Sequence, residues 1–256
     1  MNDSRTIKLI GEENNKMLKS KNILLVGLGG VGGSTFEMLI RSGINNITII
    51  DFDKFEESNL NRQILSDSSN ISLYKVDVAK KRASLINKEC NVLAYNSKID
   101  EEFIKNINTN YDYIIDAIDD IKAKVLLVKF ATSNNIKIIS SCGTGNRLNP
   151  EKLYITNIWK TSNDPLARKL RYLLRKEKIS YKLPVVSSKE LPLIKTNNFV
   201  GSMAMVPNSA GIMLASYVIN DILRGSDNNV WKIKDNKTIS RKRIQKLFTK
   251  TKRNKI

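Results

Sequence analysis

The chain has 256 residues, 41% hydrophobic, with 43 Lys and Arg against 25 Asp and Glu for a formal net charge of +18; that length suits one large domain, or one domain with appendages, around a substantial core. The cation excess favours a polyanionic partner, although the Lys-, Asn- and Ile-rich bias of an AT-rich genome would raise Lys without functional meaning. The absence of histidine excludes histidine bases, Ser–His–Asp triads and histidine metal sites, and two cysteines (Cys90 and Cys142) exclude a multi-disulfide framework and a four-thiolate zinc site.

The start, MNDSRTIKLIGEENN, has no apolar signal core. Residues 1–20 are polar and read as a short helix, with Arg5 as an exposed arginine on it. Ile23 to Val26 then forms an apolar strand feeding NILLVGLGGVGG, which carries Gly27, Gly29, Gly30 and Gly32. Val31 to Ser42 has the length and apolar spacing of a helix, and Ile47 to Ile50 is a second strand ending on Asp51. A strand, glycine turn, helix and strand in that order meet the conditions of a nucleotide-binding fingerprint. Such glycines let backbone N–H groups approach a phosphate at a helix N-terminus. Asp51 stands where an acid accepts hydrogen bonds from ribose hydroxyls. The glycines and Asp51 alone suit a nicotinamide or flavin oxidoreductase as well as an ATP enzyme.

The connector 53–75 tips the balance. It contains Asn59-Leu60-Asn61-Arg62-Gln63, and Arg offers planar donors that match phosphate oxygens. Lys75 opens the next helix (Val76, Val78, Ala79, Ala83 and Ile86), where the helix dipole disfavours a cation unless a counter-anion such as a triphosphate is near; the plain alternative is a surface lysine.

Cys90 to Ser97 and Tyr111 to Ala117 are the third and fourth strands. The fourth ends in Asp116, Asp119 and Asp120, at the strand end where open α/β sheets bind ligands. Asp116 also reads as a helix cap. Lys122 to Ser133 is a helix and Ile136 to Cys142 a fifth strand, so the alternation predicts a parallel sheet with right-handed crossovers.

After Gly145 the rhythm changes. Leu153 to Ile158, Val185 to Ser188 and Val200 to Val206 read as strands of a mixed or antiparallel extension. Asp164 to Lys178 reads as a helix with Arg168, Lys169, Arg171 and Arg175 among its cations, either a phosphate-backbone contact surface or an ordinary solvated face. Pro207 to Leu223 is a long apolar helix, core or dimer seam. Thr196 to Asn220 is uncharged, but Pro207 and four asparagines argue against a membrane span, and a soluble cytoplasmic protein is expected. The tail from Lys232 to Ile256, preceded by Trp231 as an anchor, is strongly basic and reads equally as a nucleic-acid arm or a solvated one. The expected architecture is α/β, a Rossmann-like, mostly parallel sheet flanked by helices. Residues 1–225 would form one nucleotide-binding domain, which the resemblance described next implies is an ATP-binding adenylating one, and 226–256 a basic tail.

The GxGGxG loop followed by DFDxxxxSNLNRQ resembles the ubiquitin-activating-enzyme-like superfamily of ThiF, MoeB and HesA, which adenylates carboxylates with ATP. SRTIKLIGEE, RSGINNITIIDFD, YDYIIDAIDDIKAK, KTSNDPLARKLR and GSMAMVP resemble one branch of it, the tRNA threonylcarbamoyladenosine dehydratases, over residues 4–224. The resemblance implies ATP and Mg2+ as cofactors, Asn59, Arg62 and Lys75 at the nucleotide, Asp119 on the metal, and Arg5 reaching the phosphates across a homodimer. It implies a tRNA substrate carrying threonylcarbamoyladenosine, and leaves room for a sulfur-relay partner protein. An adenylyltransferase for a ubiquitin-like sulfur carrier is the second reading; the missing CxxC pairs and the basic helix weigh against it. A non-catalytic tRNA-binding scaffold is the third, and has no need of the full set of site residues.

Overall fold

In a computed structural model of the chain, residues 1–194 and 200–227 are described. The basic tail and Trp231 lie outside them. Helices α1 (Ser4–Ile10) and α2 (Glu12–Ser20) lead into β1 (Asn22–Val26), α3 (Gly30–Arg41), β2 (Asn46–Ile50), α4 (Lys75–Ile86) and β3 (Asn91–Tyr95). Then come α5 (Glu101–Asn106), β4 (Tyr113–Asp116), α6 (Ile121–Ser133), β5 (Lys137–Ser141), β6 (Leu153–Asn157), α7 (Pro165–Lys176), β7 (Pro184–Ser188) and α8 (Met205–Arg224). The strands make one seven-stranded sheet in the order β3-β2-β1-β4-β5-β7-β6. All pairs are parallel except β6 with β7.

The central strands are apolar on both faces because both are covered. Ile23, Leu25, Ile49 and Ile115 face a core with Phe36, Leu39 and Leu214, which come from α3 and α8. Leu24, Val26, Ile114 and Ile138 face the other core with Val128, Leu170 and Leu174, from α6 and α7. The order in which strands are laid down reverses between β1 and β4, so the crevice outside their carboxyl ends is the place for a ligand.

α3 and α8 approach closely at Gly211. A Cβ there would lie 2.1 Å from Ser34 Oγ and 2.2 Å from the Val31 carbonyl. Thr35 Oγ1 donates to the Gly211 carbonyl at 3.1 Å across the same contact.

Three readings of the sequence are corrected. Residues 1–20 form two helices, broken at Gly11 with φ +86°, a left-handed conformation in which glycine is unstrained. Residues 200–204 are not strand, and α8 starts at Met205. Gly201 is instead pinned by Asn146, its N–H donating to Asn146 Oδ1 at 2.7 Å and its carbonyl accepting from the Asn146 N–H at 2.7 Å. α5 is an element the sequence reading passed over; Asp100 caps it by accepting from the Phe103 N–H at 2.8 Å.

Candidate active site

The turn between β1 and α3 depends on two glycines that cannot be replaced, Gly27 and Gly32. Gly27 has φ +90°, and a Cβ on it would meet the Ala117 carbonyl oxygen at 2.8 Å. A Cβ on Gly32 would sit 1.8 Å from the Gly27 carbonyl, so α3 can start only against a bare backbone. Gly29, by contrast, faces open space. Gly30 is walled by Pro207 and by the Arg62 carbonyl, which brings α8 and the NRQ segment to the loop. The Asn208 side-chain amide holds that wall by donating to the Arg62 carbonyl at 2.9 Å.

A chain of hydrogen bonds runs from this loop to Lys75. The Leu28 N–H donates to Asp51 Oδ2 at 2.6 Å, and the Asp53 N–H donates to Asp51 Oδ1 at 2.8 Å. The Lys75 N–H donates to the Asp53 carbonyl at 3.0 Å, and Lys75 Nζ lies 2.8 Å from Asp53 Oδ2. Burial pushes the Asp51 carboxyl above its ordinary range, while the Lys75 charge and the two amides pull it back. Lys75 is buried in the first turn of α4. The anion that accompanies it here is the half-exposed Asp53 carboxylate. Sequence reading missed Asp53, although an acid two residues after Asp51 was its signal.

Asn59 is buried and closes a local capping arrangement, its Oδ1 accepting from the Glu56 N–H at 3.2 Å. Arg62 donates through Nη1 to the Ser58 carbonyl at 2.7 Å and to Asn61 Oδ1 at 2.9 Å. That leaves Nε and Nη2 without a partner among the described residues. Gln63 is buried, and its Oε1 accepts no hydrogen bond among them.

At the end of β4 the acids divide. Asp120, not Asp116, caps α6, accepting from the Lys122 and Ala123 N–H groups. Asp116 is fully buried with Lys124, whose Nζ lies 3.0 Å from both carboxylate oxygens and donates to Ser140 Oγ and the Ser141 carbonyl. Ser140 Oγ donates to Asp116 Oδ2 at 2.6 Å. This closed network anchors the segment from Ala117 onward, against which Gly27 packs. Asp119 is exposed at that segment. No group of three or more metal-binding side chains occurs among the described residues. A lone exposed carboxylate fits the mode in which Mg2+ takes one or two carboxylates and completes its shell with phosphates and water.

Arg5 is exposed on α1, and among the described residues no hydrogen bond or ion pair joins its side chain to the crevice of its own chain. On α7, Arg168 and Lys169 are exposed. Arg171, expected beside them, turns inward: it donates to the Thr161 carbonyl at 3.2 Å and to Thr161 Oγ1. These bonds run through Nη1 and brace the turn before α7, leaving Nε and Nη2 without a partner among the described residues. Arg175 lies over the Trp159 ring, 5.4 Å from its centroid. Neither cysteine is set up as a nucleophile: burial pushes the half-buried Cys90 thiol up to about 11 and the buried Cys142 thiol further still.

The ThiF family profile matches residues 2–246, and the chain belongs to the ThiF family. The match runs past residue 224, the end of the resemblance read from the motifs. Within the family, the chain is similar to the tRNA threonylcarbamoyladenosine dehydratase of Bacillus subtilis (strain 168), 34% identical over 250 residues that cover 91% of this chain and 98% of that protein. It is 34% identical to the protein of the same name from Haemophilus influenzae, over 81% of this chain and 87% of that one. The crystal structure of E. coli tRNA N6-threonylcarbamoyladenosine dehydratase, TcdA, in complex with ATP superposes with a TM-score of 0.81 at 31% identity, covering 86% of this chain and 93% of that one. No helix among the described residues is long and apolar enough to cross a membrane.

Proposed function

We propose that the chain is an ATP-dependent tRNA threonylcarbamoyladenosine dehydratase, with residues 1–225 as its catalytic unit. The observation that carries this reading is the bonded path from the Leu28 N–H through Asp51 and Asp53 to Lys75. It sets a buried cation beside a phosphate loop. The near-complete coverage of dehydratases at 34% identity supplies the substrate class.

The threonyl carboxylate of the modified nucleoside attacks the α-phosphorus of ATP, pyrophosphate leaves, and an acyl-adenylate forms. The carbamoyl group of the same nucleoside then attacks the activated carbonyl and AMP leaves; the net change in the nucleoside is loss of water. The nucleophile belongs to the substrate, so proximity serves where a cysteine or histidine would otherwise be needed. The open N–H groups of Arg62 and the Lys75 ammonium stabilise charge growing on the phosphates. Asp51, already holding Leu28 and Asp53, is the group to meet the ribose, and Asn59 shapes the segment that presents Arg62. Asp119 would hold Mg2+, which when bound neutralises phosphate charge.

We assign Arg168, Lys169, Arg171 and Arg175 to the tRNA. A homodimer in which Arg5 of one copy reaches the other's phosphates is supported by its exposure. The exposed apolar side chains of Leu60, Ile64, Met203 and Met205, which flank the Arg62–Asn208 contact, also support it.

The test is ATP turnover with modified tRNA, unmodified tRNA and a sulfur-carrier protein as alternative substrates, read by nucleoside mass and by AMP. Water loss from the modified nucleoside with AMP release is the expected result. AMP transfer to the carrier protein alone would select the adenylyltransferase instead.

A further inference from the structure

α7 begins at the crevice end of the sheet. Asp164, its cap, accepts from the Gly143 N–H at 3.1 Å, from the Ala167 N–H at 3.0 Å and from Ser187 Oγ at 3.3 Å. Gly143 follows β5 and Ser187 is in the last turn of β7, at their carboxyl ends. The far end of the helix is fixed by Trp159, which follows the antiparallel β6 and therefore lies at the opposite end of the strands. Twelve residues of helix rise about 18 Å, so α7 is a rod leading away from the crevice.

Its inner face is Ala167, Leu170 and Leu174. Its outer face holds Arg168, Lys169, Tyr172, Arg175 and Lys176, all exposed. Tyr172 is 66% exposed, well above most large apolar side chains here. It stands four residues after Arg168, three after Lys169, and three and four before Arg175 and Lys176, so all share one surface. At the far end the Trp159 indole is held by its Nε1 donating to the Tyr181 carbonyl at 2.9 Å, with the Arg175 guanidinium lying on the ring. The row therefore reads cation, aromatic, then an arginine plane backed by a second aromatic.

Cations alone serve a duplex backbone or an acidic protein. A bare aromatic between them adds nothing on a duplex backbone, but it fits unpaired nucleotides, whose bases stack on aromatic rings and on arginine planes while their phosphates meet cations. We propose that the outer face of α7 is a recognition strip for the single-stranded loop of the tRNA, with Tyr172 as a base-stacking residue and Arg175 on Trp159 as a second platform. This rests on the tRNA reading above. It adds that the loop, and not the paired stem, is what α7 distinguishes.

The experiment compares binding of a hairpin RNA with an unpaired loop and of a blunt duplex with the same number of phosphates, using the full chain. Tyr172→Ala should weaken hairpin binding about tenfold and leave the duplex unchanged, with Tyr172→Phe retaining hairpin affinity. Arg168→Glu should weaken both and reduce the salt dependence by about one phosphate contact. Tyr172 is exposed, so circular dichroism should show all variants folded. Hairpin affinity untouched by Tyr172→Ala would overturn the strip, and so would equal losses on hairpin and duplex. AMP release by the unsubstituted protein on modified tRNA, measured alongside, separates that failure from failure of the dehydratase reading.

Discussion

Lys75 and Asp53 are joined twice: through the ion pair at 2.8 Å and through the Lys75 N–H on the Asp53 carbonyl at 3.0 Å. The lysine is nearly buried while the aspartate is half-exposed, so the carboxylate is the replaceable member. A phosphate arriving at the glycine loop competes with Asp53 for the ammonium. Asp53→Ala should therefore lower the melting temperature of the ligand-free protein and enlarge the upward shift that ATP produces. Thermal melts with and without ATP check this; an unchanged ATP shift would mean that the ammonium does not meet the phosphates.

Arg62 has donors left over after holding its own loop. Arg62→Ala and Asp119→Ala should each give folded protein whose ATP–pyrophosphate exchange falls about a hundredfold, the usual size of one lost charge-stabilising contact. Either variant exchanging at a near-normal rate removes that residue from the site.

The Asp116–Lys124 pair is wholly enclosed. Lys124→Met would leave a buried carboxylate without its cation, at about 3–5 kcal/mol. Adding Asp116→Asn should recover part of that loss, because the stranded charge is gone. Urea denaturation of the single and double variants reads the difference, and no recovery would show that packing, not charge, set the loss.

Glu37 ties α3 to α4 through Arg82, at 2.9 Å and 3.0 Å, and to Arg41 on its own helix. Burial opposes its charge, but the bonds to Arg82 and Arg41 outweigh burial and hold the carboxyl below its ordinary 4.5. A depressed folded-state value means the contribution is complete above the unfolded value and fades as pH falls through the folded one. Both arginines are half in solvent, so Glu37→Gln should cost about 1–2 kcal/mol at pH 7. The variant should lose less stability than the parent on acidification below pH 4.5, as urea midpoints across that range will show.

Gly211 lets α3 and α8 touch. Gly211→Val should cost at least about 3 kcal/mol, at the upper end for overpacking. It should also weaken ATP binding, since α8 carries Pro207 against Gly30. Calorimetric titration of the folded fraction with ATP tests the second part.

What was legible in the sequence was local. From Asn22 to Asp51 each element carries its own period and punctuation, and the crevice end of β1 could be named from glycines alone. The misreadings came where partners are distant. Val200 to Val206 looks like a strand because its residues are apolar, yet Asn146, over fifty residues earlier, holds Gly201 in a loop. Asp116 looked like a cap because its neighbours Lys124 and Ser140 lie 8 and 24 residues away in sequence. The bond from Arg171 to the Thr161 carbonyl was equally hidden, since helical spacing shows only that it stands among the cations.

The contact of Asn208 with the Arg62 carbonyl spans 146 positions of the chain. During synthesis, the glycine loop and its strands leave the ribosome long before the helix that walls them. A nascent chain halted ahead of Met205 would hold the loop without the Pro207 and Asn208 contacts that wall it.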